Sequence, residues 1–168
     1  MSQVPQFRRT LAVRAGVSAL LVLSAPASFA ATDSTTFAVT ATVLSTCAVA
    51  ASPLAFGNYS MAQVDSSAPV LVTCTNGTTY TVGLSAGVGT GASVASRKLT
   101  GPASQALTYS LYGDVGRTTV WGQTIGVDTV AGTGNGAAQT LTVYGRVPAS
   151  QGPGPGAYTD TITVTLTY

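Results

Sequence analysis

Tyr158-Thr159-Asp160-Thr161-Ile162-Thr163-Val164-Thr165-Leu166-Thr167-Tyr168 is the stretch that decides the fold. It alternates without a fault. Ile162, Val164, Leu166 and Tyr168 face one way and Thr161, Thr163, Thr165 and Thr167 the other, the period-two pattern of a strand with one face on a core. No Lys, Pro or bulge signal blunts its edge, the devices by which exposed strands normally avoid foreign pairing. An edge of this kind invites a strand from another chain. Taken alone, the segment reads equally as an ordinary final strand.

The same period recurs upstream. Thr35–Leu44 places Phe37, Val39, Ala41 and Val43 on one face and Thr or Ala on the other. Pro69–Thr75 is a more continuous apolar run, which predicts a strand covered on both sides. Asn76-Gly77 then supplies a turn, and Thr79–Ser85 is predicted to return as the second arm of a hairpin. Ala106–Tyr112, Thr118–Gly122 and Gln139–Val147 complete the set, separated by Gly-rich loops at 87–92, 132–137 and 151–156. No helical stripe of useful length appears. About seven short strands with turns at this spacing predict an all-β, immunoglobulin-like sandwich of one domain. Both Gly87–Ala92 and Gly132–Ala137 fit G-x-G-x-x-A, but neither precedes a helix-forming segment to receive a pyrophosphate, so they are plain loops. Asn58-Tyr59-Ser60 and Asn76-Gly77-Thr78 match a glycosylation sequon that many unmodified turns also match.

Composition narrows the chemistry. Of 168 residues 45% are hydrophobic and only 7% charged, the opposite of a disordered chain. There is no His, and all five acidic residues are Asp: Asp33, Asp65, Asp114, Asp128 and Asp160. A chain without His builds no Ser-His-Asp or Cys-His nucleophile and no His-ligated metal site, and scattered Asp offers little acid–base machinery. The sequence therefore predicts no enzyme, no metal and no cofactor. Asp160 and Arg146 are read as a structural pair across late strands or as turn caps, and Trp121 and Tyr112 as core or half-buried residues rather than a sugar platform.

The N-terminal segment reads as an address. Arg8, Arg9 and Arg14 precede the 11-residue apolar run Ala15–Ala25, Pro26 ends it, and Ser28-Phe29-Ala30 provides small residues at the −3 and −1 positions of a cleavage site. Residues 1–30 are thus expected to be a signal peptide, with an apolar run too short to span a bilayer. Residues 31–168 then carry four basic and five acidic groups, a net charge of −1. Arg97, Lys98, Arg117 and Arg146 form no dense patch, so neither nucleic acid nor a polybasic membrane face is expected. The two cysteines, Cys47 and Cys74, lack C-x-x-C spacing. An even count in an exported chain reads as one structural disulfide, worth roughly 3–4 kcal/mol for a loop of this size.

A set of short motifs runs through most of residues 31–168: Cys47-Ala48-Val49, Leu54-Ala55-Phe56-Gly57-Asn58-Tyr59, Val72-Thr73-Cys74-Thr75, Tyr80-Thr81-Val82 and Arg97. It continues with Leu107-Thr108-Tyr109-Ser110-Leu111-Tyr112, Trp121-Gly122, Val143-Tyr144-Gly145-Arg146-Val147-Pro148 and Gly156-Ala157-Tyr158-Thr159-Asp160-Thr161. In order and spacing this set resembles the spore coat protein U domain, the family that also supplies subunits of archaic chaperone–usher pili. The resemblance implies an incomplete immunoglobulin-like fold lacking its last strand. A periplasmic chaperone would lend a strand to the open groove, and at an outer-membrane usher the N-terminal segment of the next subunit would replace it. It also implies a Cys47–Cys74 bridge between the first two strands. On that pattern residues 47–168 are the sandwich domain, with Ile162, Val164, Leu166 and Tyr168 as groove residues. Residues 31–46 are the N-terminal segment, with Phe37, Val39, Ala41 and Val43 as donor knobs. The run 35–44 is open to three allotments: donor strand, the domain's own first strand, or partly both. We read Phe37, Val39 and Ala41 as donor, with Val43 nearer the domain.

The leading functional expectation is a structural subunit of a surface fibre serving adhesion or biofilm formation, exported through the periplasm to the cell surface. A spore or cyst coat protein and a secreted carbohydrate-binding module are the alternatives.

Overall fold

The computed structural model describes residues 28–168, so the expected signal peptide lies outside the described residues up to position 27. The chain divides into two units, Met1–Thr40 and Ala41–Tyr168. In the first, residues 28–40 carry no helix or strand and are exposed throughout.

The second unit is all-β. Its strands are β1 Cys47–Ala51, β2 Val64–Cys74, β3 Thr79–Leu84, β4 Arg97–Thr100, β5 Ala106–Tyr112, β6 Val130–Thr133, β7 Ala138–Val147 and β8 Val164–Thr167, with one 3-10 turn at Pro102–Ser104. A five-stranded sheet runs β1-β2-β7-β5-β4 and a three-stranded sheet β6-β3-β8, and every pairing is antiparallel. In an immunoglobulin sandwich one sheet is ordered A-B-E-D and the other C-F-G. Here β1-β2-β7-β5 takes the first order and β3-β8 stands as C-F. Among the described residues no strand pairs with the far edge of β8.

The core follows from alternation. β2 turns Ala68, Val70, Val72 and Cys74 inward and exposes Asp65, Ser67, Pro69, Leu71 and Thr73. β5 adds Leu107, Tyr109 and Leu111, β7 adds Val143 and Val147, and the opposite sheet supplies Tyr80, Val82 and Leu84. Trp121, 1% exposed, fills the centre and satisfies its indole by donating from Nε1 to the Val82 carbonyl at 2.8 Å.

Four sequence expectations change. Pro69–Thr75 belongs to a strand covered on one face only: among the described residues nothing packs on its outer side, and Leu71 is left 39% exposed. The turn at Asn76-Gly77 forms, with Gly77 at φ +82° and Thr78 N–H bonded to Thr75 O, but it makes no hairpin. β2 already has β1 and β7 as neighbours and β3 has β6 and β8, so the turn is a corner between sheets, tied by reciprocal bonds of Gly77 and Thr78 to Gly134. Thr118–Gly122 makes only a single bridge, Tyr112 to Val120. The C-terminal run is regular strand only from Val164. Thr159 pairs with Thr100 on the edge of the five-stranded sheet, and the chain then crosses to β3 in the other sheet.

Candidate functional site

The unpaired edge of β8 opens onto an apolar cleft. β1 at the edge of one sheet and β8 at the edge of the other approach each other, and between them lies a cleft of ≈ 380 Å³. Its floor is Ala68, Val70, Leu84, Leu111 and Val143, and its walls are Ala51 at the end of β1 and the following Ser52, Pro53 and Leu54, with Ile162 and Val164. Sheet alternation explains this composition: the floor residues are the inward set of β2, β3, β5 and β7, and on this side no strand among the described residues covers them.

Of the expected groove residues, Ile162 and Val164 line the cleft, and Ile162 does so from the crossing segment ahead of β8. Leu166 packs half-buried against the core outside the cleft lining. Tyr168 is 60% exposed and lies beyond β8. The expected donor residues are in no strand: Phe37 is 86% exposed, Val39 and Val43 82%, and Ala41 is exposed as well. Cys47 and Cys74 face each other as the first register pair of β1 and β2, with Cα atoms 4.1 Å apart, and form a disulfide.

The segment after β1 was not legible as part of the site. Leu54 and Phe56, on either side of exposed Ala55, belong to no strand, yet they pack half-buried against the core and line this cleft and a second one. The second cleft, of ≈ 910 Å³, has an apolar side that includes Leu99, Leu107, Val147 and Tyr158. Three features hold this wedge. Gly145 of β7 lies beneath it: a Cβ there would stand 2.8 Å from Phe56 Cζ and 3.1 Å from Leu54 Cδ2. Phe56 meets Tyr109 edge-on at 5.8 Å. Ser66 Oγ donates to Ala55 O at 2.7 Å. Beyond the wedge, Tyr59 Oη donates to Pro148 O and accepts from Gln151 N–H, both at 2.9 Å. The available signal was a glycine interrupting the alternation of β7, which marks a close approach.

The polar groups around the cleft are engaged structurally. Arg97, fully buried, donates from Nε to Ser85 O, from one terminal nitrogen to Val94 O, and from the other to Leu84 O and Trp121 O, at 2.7–3.0 Å. It thereby links β4 in one sheet to the end of β3 in the other. Burial pulls its pKa below the ordinary value, opposed by Tyr109 and by the Asp160 and Asp128 carboxylates. An arginine nonetheless stays charged, and carbonyl dipoles replace its water. Asp160 accepts from Tyr109 Oη at 2.7 Å and from Val88 N–H at 2.8 Å, which ties the crossing segment to β5 and to the loop that follows β3. Burial first, and then this hydrogen bond, push the Tyr109 phenol well above its usual range. Arg146 pairs not with Asp160 but with Asp65 of the adjacent β2, through two bonds at 2.8 and 2.9 Å. The Arg146 hydrogen bond is the main reason the Asp65 carboxyl sits below its usual value. Asp114 and Asp128 cap turns, at Thr118–Thr119 and Thr124. No group of three or more His, Cys, Asp or Glu positioned for a metal occurs among the described residues.

Known proteins resemble this chain in sequence and in fold. The family described as Spore Coat Protein U domain matches residues 33–165. The chain belongs to that family. Protein U of Myxococcus xanthus is 34% identical over 128 residues, covering 68% of this chain and 71% of that protein. A solved chain from the CsuC–CsuE chaperone–tip adhesion subunit pre-assembly complex of the archaic chaperone–usher Csu pili of Acinetobacter baumannii superposes with a TM-score of 0.57 at 21% identity. That match covers 76% of this chain and 41% of the solved one, and at this identity it speaks for the fold alone. The Spore Coat Protein U domain here is thus an all-β immunoglobulin-like sandwich, and no described helix is long and apolar enough to cross a membrane.

Proposed function

We propose that this chain is a structural subunit of a surface fibre assembled by strand donation. The observation that carries the reading is the apolar cleft beside the free edge of β8. A donated strand supplies both what that edge lacks and what the cleft lacks: ladder hydrogen bonds and alternating apolar side chains. Exposed Phe37 and Val39, with Ala41 and Val43, provide such a set two residues apart. Donation from one subunit's N-terminal segment to the next is head-to-tail and does not close, so it yields a filament.

On this reading the chain is exported, a periplasmic chaperone covers the cleft in transit, and an outer-membrane usher exchanges that cover for the next subunit. Adhesion or biofilm formation is the role of the fibre. The family's name and the likeness to Protein U favour a second reading, a coat component joined by the same exchange.

The test is a double substitution, Phe37→Asp with Val39→Asp. The purified full chain is expected to polymerise, giving ladders on unheated gels. The double variant is expected to remain monomeric with an unchanged unfolding transition, because the charges lie on residues exposed in the subunit. Normal polymers from the variant sink the donor assignment. A wild-type chain that stays a stable monomer sinks the assembly reading and leaves a self-contained binding module.

A further inference from the structure

Resting on that reading, we propose that Phe56 fixes the register of the donated strand by acting as a ridge over which only the small knob, Ala41, fits. The inter-sheet space is not one uniform slot. Leu54 and Phe56 line both clefts, as do Leu99 and Asp160, and of these four Phe56 has the largest side chain.

The ridge is built to stay in place. Gly145 lacks the side chain that would collide with Phe56, Tyr109 abuts the ring edge-on, and Ser66 holds the backbone at Ala55. A strand laid beside β8 must therefore pass over it. The candidate run offers the knobs Phe37, Val39, Ala41 and Val43, and only the third is small. Knobs two residues apart are spaced by about 6.6 Å along a strand, so Val39 and Val43 fall about 6.6 Å to either side of Ala41. With Ala41 over Phe56, Phe37 and Val39 enter one cleft and Val43 the other. A shift by two residues in either direction drives a Val onto the ring, an overpacked arrangement. A shift by one residue turns the threonine-rich face inward. Large facing small across a packed layer is how interdigitating cores are filled.

A bump-and-hole experiment in the full chain tests this. Ala41→Phe enlarges the knob at an exposed position, so the subunit's own folding is untouched, and it is expected to slow polymerisation by roughly tenfold or more. Adding Phe56→Ala in the same chain is expected to restore the rate to within about threefold of wild type. Should Phe56→Ala fold poorly, the gentler pair Ala41→Leu with Phe56→Leu reads the same coupling. Thr40→Phe, between knobs, is the control for bulk alone and is expected to polymerise normally. If Ala41→Phe polymerises at the wild-type rate, or if its defect is equal in both Phe56 backgrounds, the register assignment is overturned while strand donation stands. If the wild-type chain forms no polymer, both fall together.

Discussion

β2 and the C-terminal run 158–168 have the same alternating chemistry and end in different environments. β2 is held between β1 and β7 and faces the opposite sheet, and its inward residues Val70, Val72 and Cys74 are 2% exposed or less. Beyond its bridge from Thr159 to Thr100, the C-terminal run has β3 as its one neighbour among the described strands, and its inward residues Ile162, Val164 and Leu166 stay half-buried. Burial is therefore set here by the number of neighbouring strands and not by the hydrophobicity of the segment. The unfilled position lies beside β8.

The largest effect should come from placing a charge in the complete region. Val72→Asp sits at a 0% exposed position and leaves a buried carboxylate without a partner. A loss of roughly 3–5 kcal/mol or more is expected, seen as the absence of a cooperative unfolding transition. Arg97→Ala removes the link between the sheets and strands four carbonyls. It is expected to cost roughly 2–4 kcal/mol by chemical denaturation, with Arg97→Lys recovering only part because it lacks the planar fork. Cys47→Ser leaves β1 held to β2 by its ladder alone and should cost roughly 2–5 kcal/mol, with an unfolding midpoint that no longer responds to reductant.

Val164→Asp sharpens the contrast with Val72→Asp most directly. The side chain is half-buried at the edge of the cleft, so the subunit is expected to lose only about 1 kcal/mol while self-association disappears. Equal destabilisation by the two substitutions would show that the C-terminal run is as complete as β2. The smallest effect concerns the outer face. The folded pKa of Asp65 lies below its unfolded value, so the Arg146 pair stabilises above the unfolded pKa, near 4, and that contribution is lost as pH falls through the folded pKa. Asp65→Asn should therefore lower the melting temperature slightly at neutral pH, and the difference should vanish in acid. High salt should also shrink it, since both partners are partly exposed.

Where alternation met a single covered face, the sequence was readable. β5 matches its expected range, and β3 and β7 match to within a residue, because each carries three or more inward apolar residues at period two. β1, β4 and β6 are four or five residues long, too short for a period to register. The corner at Asn76-Gly77 carries a hairpin's local chemistry, and only the long-range pairing of β2 and β3 decides that it joins two sheets. The cleft's Ile162 and Val164 were legible from one strand's pattern. The wedge was not: Leu54 and Phe56 sit in an irregular segment, and their seat at Gly145 lies 89 positions from Phe56. Arg97 entered the sequence reading only as one of four scattered cations and as a motif residue, because its partners are backbone carbonyls, which leave no trace in a sequence.

The disulfide also has a mechanical meaning. It joins the first residue of β1 to the last of β2, at the end of the β1–β2 ladder where the N-terminal segment meets the domain. A pull applied through residues 41–46 meets the hydrogen bonds of Leu44 and Thr46 to Thr75 and then the sulfur bridge at Cys47, which passes it into β2, a strand flanked on both sides. β1 is thereby spared from being unzipped one hydrogen bond at a time. The load is passed instead to β2, which ten residue pairs hold to β7.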